Sequence, residues 1–525
     1  MRKFWKRILG GCLAILLLWT WGSAQVNAET LNPAKPVQTP LVPTQSAGQL
    51  PIKNSIKRPE IKSFNPKNNV KPVSNTRLSL NSEPKFQGIP LTCYFSLVQS
   101  TEGDPQNQLF SLTEIATKYT EAKQLNKAAQ MLDNAIEYLP KIDNPPVQAY
   151  ATVEVASYYA KAAQKQKASL LLDRALNLVK GFTQSTDQIF ATIKIAHEYK
   201  EIGQTDKASR LLADALHYAE AVPDEYVKSR AYAAIASGFN EMKQPNQTEQ
   251  AIVQSIQYAQ KIKDTTSKVR ALTEIAGTYA ESGEHAKAIA SLTDAFSNLD
   301  APKENSKEDS KEDSKENPTE LPAAVFKPRA LALVASKYIG TAQYDQAIRV
   351  IDNIDSASIE KPVALIGVAS KYVKAGQLDK ATKTLDLGLK ALLSLPNSLD
   401  QAVTLVEIGK QYNLSKQPQK ALEVLKLTEE IVNSFDRPLE KVFGFTNLAA
   451  VYAEVGQSEQ SGNVLDRGLE IVNSDKSLSD RPRMIADLSG LYWSVGRHDR
   501  AMELAKSITN PAEQEPILKL FECAK

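Results

Sequence analysis

Cysteine, histidine and tryptophan are scarce: three, four and four residues among 525. That scarcity narrows the chemistry before any pattern is read. Cys12, Cys93 and Cys523 form no paired-cysteine metal motif. His197, His217, His285 and His498 head no His-Glu-x-x-His or similar ligand set. No phosphate-binding glycine loop and no Gly-x-Ser-x-Gly occurs, and scattered Ser, His and Asp define no nucleophile. The expectation is therefore a chain without catalytic residues, metal or cofactor, and not an enzyme.

Long apolar runs are also missing. The one candidate, Ile8 to Trp21, is shorter than the about 20 residues that cross a bilayer. It follows Arg2, Lys3, Lys6 and Arg7 and leads into Val26-Asn27-Ala28, the layout of a secretory signal peptide over residues 1–28. The alternative is an uncleaved anchor. There is no Arg-Arg pair for the twin-arginine route. Most of the apolar run comes after Cys12, whereas in a lipoprotein the apolar segment precedes the cysteine. Export to the periplasm or cell envelope, or release from the cell, is expected, with no membrane span after cleavage.

An excess of charge is absent too. The chain has 63 basic and 60 acidic residues, and four of the basic ones sit in the leader. What remains is near neutral, with its folded part mildly acidic. Nucleic-acid binding, which needs a basic footprint, is disfavoured.

What is present comes in two styles. Residues 29–108 read as a Pro-rich disordered linker, with Pro33, Pro36, Pro40, Pro43 and Pro51 among its prolines. Within it an apolar segment, 91–98 (LTCYFSLV), is expected to pack over the first repeat. From residue 109 an aromatic recurs at Tyr119, Tyr159, Tyr199, Phe239, Tyr279, Tyr338, Tyr372, Tyr412, Tyr452 and Tyr492. Most intervals are 40 residues, one is 59 and one is 34. Such a period marks a solenoid.

The unit is legible in residues 271–295. Leu272, Ile275, Ala276 and Tyr279 share one helical face, Ser282-Gly283 interrupts, and Ala288, Leu292 and Ala295 begin a second amphipathic helix. Small residues stand three before and nine after each aromatic, so neighbouring helices can approach closely. A single hairpin cannot bury its apolar face, but a stack can. The long interval contains "KENSKEDSKEDSKEN", whose like charges at i, i+4 disfavour helix, so 302–322 is expected to be a charged disordered loop. Pro516-Ile517-Leu518-Lys519-Leu520 echoes the start of a repeat and predicts a C-terminal capping helix.

Ile-Ala-x-x-Tyr followed by Ala-x-x-x-Leu-x-x-Ala resembles the tetratricopeptide repeat, over about residues 109–525. The 40-residue period resembles the longer, kinesin-light-chain type of unit. The family's Trp at the start of the first helix is absent here. The expected fold is all-α: a right-handed helical-hairpin solenoid of about ten repeats, a superhelix with that capping helix. The resemblance implies that the first helix of each hairpin lines a concave groove. The Lys and Asn set that grips acidic C-termini in chaperone-binding members is not evident.

On those first helices Glu114, Glu154, Lys194, Glu274, Glu407 and Asp487 stand five before the aromatic, and Glu121, Glu201, Glu241, Glu281 and Glu454 two after it. Glu114, Glu121, Glu154, Glu274, Glu281, Glu407, Glu454 and Asp487 are the candidate partner-binding residues; the alternative is a plain solvated face. Two functions follow. One is a protein-interaction scaffold that takes a basic or neutral envelope protein or peptide in the groove. The other is a binder of peptidoglycan or polysaccharide, or a structural spacer.

The two cysteines beyond the leader are expected to stay apart. Ten repeats stepping about 10 Å each put the ends about 90 Å apart before supercoiling, and the chain from Cys93 to the first repeat reaches only about 55 Å. Cys523, aligned on Ala369, reads as a buried small residue. Free thiols or a bridge between chains are the expectation.

Overall fold

The computed structural model describes residues 83–100, 103–300, 323–475, 478 and 480–525. The leader, most of the linker and the 302–322 loop lie outside the described residues.

Ten helical hairpins follow one another. They are α2 (Pro105–Glu121) with α3 (Leu125–Ala135, continued by a 3-10 turn Ile136–Lys141), α4 (Pro145–Lys161) with α5 (Lys165–Val179), and α6 (Ser185–Glu201) with α7 (Thr205–Glu220). Then come α8 (Glu225–Glu241) with α9 (Pro245–Lys261), α10 (Thr265–Glu281) with α11 (His285–Asp300), and α12 (Ala323–Gly340) with α13 (Tyr344–Asp352). The last four are α14 (Glu360–Lys374) with α15 (Leu378–Leu393), α16 (Leu399–Leu414) with α17 (Pro418–Asn433), α18 (Pro438–Glu454) with α19 (Ser458–Ser474), and α20 (Arg481–Ser494) with α21 (His498–Ser507). A final helix, α22 (Pro511–Ala524), ends the chain. The all-α hairpin solenoid expected from the period is what these residues build.

Each hairpin turns in the same way. The residue four after the aromatic has positive φ: glycine at 203, 283, 376, 456 and 496, but Lys123, Ala163, Lys243, Ala342 and Lys416 in the other five. The next residue donates its N–H to the aromatic residue's own carbonyl, at 2.7–3.0 Å in all ten. This left-handed cap ends the first helix and satisfies one of its terminal carbonyls. The 34-residue interval has a simple cause: α13 has nine residues where the second helices around it have sixteen or seventeen. The 59-residue interval leaves the stack intact, because α10 packs directly on α12.

The small positions are filled as expected. Ala116, Ala156, Ala196, Ala236 and Ala276 before the aromatics are buried, as are Ala128, Ala168, Ala208, Ala288 and Ala347 after them. At Gly409 a Cβ would lie 3.0 Å from Leu425, so contact there needs the smallest side chain. First helices pack on the first helices of the next hairpin, whereas second helices make no comparable contact with each other. Spacing is tighter on one side, so the stack bends toward its first helices, which line the concave face.

The curvature brings the two ends together, and here the sequence expectation fails. Residues 83–100 do not continue a linker: β1 (Lys85–Phe86) and β2 (Ile89–Pro90) pair antiparallel through a Gln87-Gly88 turn with both φ positive, and α1 (Leu91–Ser100) follows. Helix α1 packs on α2, as the apolar segment foretold, and equally on α22. Cys93 and Cys523 form a disulfide, with Cα atoms 5.7 Å apart across 430 residues of chain. Free thiols, and a linear separation of the ends, are thereby overturned. A small rotation per hairpin, summed over ten, outweighs the linear rise that the expectation extrapolated. Cys523 is also exposed rather than buried, while Cys93 is 3 % exposed. Among the described residues no helix is long and apolar enough to cross a membrane.

Candidate partner-binding face

The concave face is a ladder of first-helix side chains, and several of its charges are already paired between hairpins. Arg230 Nε lies 2.9 Å from Glu274 Oε1, His197 Nδ1 2.9 Å from Glu241 Oε2, and Lys410 Nζ 2.9 Å from Glu454 Oε2. Each pair is 44 residues apart, one repeat plus one helical turn. Lys337 Nζ reaches Glu281 at 2.8 Å, and Ser237 donates to the same carboxylate. The Arg230 guanidinium also lies over the Phe190 and Tyr226 rings.

Of the sequence candidates, Glu274, Glu281 and Glu454 therefore belong to inter-repeat ion pairs. Glu407 accepts a hydrogen bond from Gln411 Nε2 at 2.7 Å, and burial raises its pKa. Asp487 is half-buried on α20. Burial also raises the pKa of Glu274 against the opposing pull of Arg230. Glu274 is half-buried, whereas Glu154 is exposed by surface area although neighbouring helices crowd it. His197 is held above its usual pKa, chiefly by the Glu241 hydrogen bond.

The first two hairpins differ. Glu114 is only 5 % exposed, yet among the described residues it accepts no hydrogen bond and makes no ion pair. Burial pushes its pKa up to about 7, aided by the charges of Glu154 and Glu121 and opposed by Lys118. Lys118 itself is taken by Glu121 at 2.9 Å. Glu154 accepts a long hydrogen bond, 3.4 Å, from Tyr158 Oη, and burial raises its pKa too. Tyr150, Glu154 and Tyr158 recur at four-residue spacing along one face of α4.

One grouping escaped the sequence reading. His197, Glu201 and Glu241 place three ligand-type atoms within 4.8 Å of one another. The Lys200 ammonium sits among them, 2.6 Å from Glu201 and 3.4 Å from Glu241, so the carboxylates already hold a cation.

A second set was missed entirely. The Tyr159 hydroxyl donates to Asp133 at 2.7 Å, and Lys167 pairs with that carboxylate. Tyr199, Asp173 and Lys207 repeat the arrangement, as do Tyr412, Asp386 and Lys420. The carboxylate comes 26 residues before the tyrosine and the lysine eight after, so each lock joins the second helix of one hairpin to both helices of the next. Tyr492 bonds Asp466, which here pairs with Arg497. The lock is not universal: at the same offset before Phe239, Tyr279, Tyr372 and Tyr452 stand Ala213, Val253, Gln346 and Lys426.

No protein-family model and no curated protein matches this sequence. Solved structures do resemble it. Ton1535 from Thermococcus onnurineus shares 15 % identity over 70 % of this chain and 98 % of its own, with a TM-score of 0.31. A Rap protein complexed with competence and sporulation factor shares 15 % over 72 % and 100 %, at 0.26. Yeast Tom70 shares 12 % over 80 % and 96 %, at 0.26. At those scores the architecture rests on the hairpins of this chain and not on the likenesses.

Proposed function

We propose that the chain is an exported, non-enzymatic interaction scaffold that holds an extended basic or neutral segment of another envelope protein on the concave face of its first two hairpins. Glu114 carries this reading. A buried carboxylate without a partner is costly, and a cationic side chain supplied from outside relieves that cost. Glu121 and Glu154 add acidity beside it, and Tyr150 and Tyr158 offer ring faces to an ammonium or guanidinium group. Elsewhere on the face, Glu274, Glu281 and Glu454 have bases of their own, which lowers their claim to an outside partner. The basic-then-apolar leader and the disulfide support export, since disulfides persist in oxidising compartments.

A second reading is favoured by one observation. Phe110, Tyr150 and Phe190 recur every 40 residues on the first helices and are half-buried, a spacing suited to stacking on successive sugars of a peptidoglycan or polysaccharide chain. The two readings part in fluorescence anisotropy with labelled lysine-rich and glutamate-rich extended peptides, beside soluble peptidoglycan fragments. The scaffold reading expects the lysine-rich peptide to bind and a Glu114→Gln/Glu154→Gln variant to lose at least tenfold in affinity. Preference for the acidic peptide, or indifference to the substitutions, would contradict it. Binding of the fragments alone would transfer the case to the polymer.

A further inference from the structure

We infer that the Cys93–Cys523 disulfide is a redox latch on a seam that closes the hairpin array, and that reducing it opens the array there and nowhere else.

The seam is built from both ends of the described chain. Helix α1 stands between α22 and α2, where the second helix of an eleventh hairpin would stand, while α22 continues the row of first helices beyond α20. Two ends of the chain thus supply one composite unit. Its apolar contacts are Ile89, Leu91 and Tyr94 from one end and Trp493, Ile517, Leu520 and Phe521 from the other, all buried. The Trp493 ring stacks on Phe521 with centroids 4.3 Å apart, and a Cβ on Gly88 would lie 3.6 Å from Trp493. Glu83 completes the imitation: it accepts from Tyr119 Oη at 2.6 Å and pairs with Lys127, the part Asp133 plays one hairpin later.

This unit is slighter than the hairpins at the middle of the array. Helices α1 and α22 have 10 and 14 residues, against 16 and 17 in α8–α11, and they adjoin the equally short α20 and α21, of 14 and 10. Short helices owe their stability to what they pack against. Each interior hairpin also follows its neighbour directly in the chain, whereas only the disulfide ties α1 locally to α22. Once it is cut, nothing but non-covalent contact keeps the seam shut.

The exposed cysteine gives a reductant its entry. A thiolate of a dithiol attacks the Cys523 sulfur, breaks the S–S bond and forms a mixed disulfide, and Cys93 leaves as a thiolate that takes up a proton. The second thiol of the reductant then displaces Cys523, which leaves as a thiolate and is protonated. The dithiol becomes a disulfide, and two electrons have passed to the protein. In the oxidised state the backbone from Cys93 to Cys523 is a closed covalent loop carrying the concave face.

Hydrogen–deuterium exchange on the full chain tests this, comparing oxidised protein, protein held in dithiothreitol, and the Cys523→Ser variant. Expected is at least tenfold faster exchange in residues 85–100 and 511–524 of both latch-free forms, with 225–261 unchanged and protection restored on reoxidation of the native chain. Unchanged protection at the seam would overturn the inference, since the seam would then close without a latch. Comparable acceleration in 225–261 would overturn it too, because the disulfide would then support the whole fold.

Discussion

Replacing Glu114 by Gln removes a charge that folding would otherwise bury. Its folded pKa, about 7, lies above the ordinary 4.5. The native state therefore favours the protonated form: the associated stability is fully present below pH 4.5 and is lost as pH rises through 7. Glu114→Gln should accordingly stabilise the chain at pH 8, by on the order of 2 kcal/mol, and by little at pH 4.5. Urea unfolding at both values measures it, and an equal effect at both would count against an uncompensated carboxyl. The position of Glu114 was legible from its place five before the aromatic. Its isolation was not, because pairing on this face depends on which residue of the next hairpin swings opposite. The same limit hid the turns: Gly203 and Gly283 announce a left-handed residue, while Lys123 and Ala163 adopt it without announcing it.

At the scale of elements, the aromatic does more than occupy the space above small residues. Four tyrosines, at 159, 199, 412 and 492, hydrogen-bond an Asp of the preceding hairpin, and the burial that raises their pKa keeps them protonated as donors. A double-mutant cycle with Tyr199→Phe and Asp173→Ala should give a coupling of about 1 kcal/mol in thermal or chemical unfolding. Coupling near zero would reduce the tyrosine to a space-filler. Helix pairs, periods and close contacts were readable because they are set within one unit of about 40 residues. The 26-residue and eight-residue offsets recur only at some tyrosines, Tyr159, Tyr199 and Tyr412 among them, and only coordinates show that they converge on one carboxylate.

The whole array depends on a quantity that no single repeat reveals, the rotation from each hairpin to the next. Summed over ten hairpins it turns a row into a closed circuit of packed helices, seals Trp493 under the β1–β2 turn and brings together cysteines 430 residues apart. Composition, period and charge pointed to an all-α helical repeat; closure lay beyond them because linear rise was the only length they supplied. The most direct test of closure is peptide mapping by mass spectrometry, without reduction, on chain whose thiols were blocked at lysis. The closed array predicts a single linked pair of peptides, one holding Cys93 and the other Cys523 of the same molecule. Recovery of both cysteines as blocked thiols, or joined to a different chain, would contradict it.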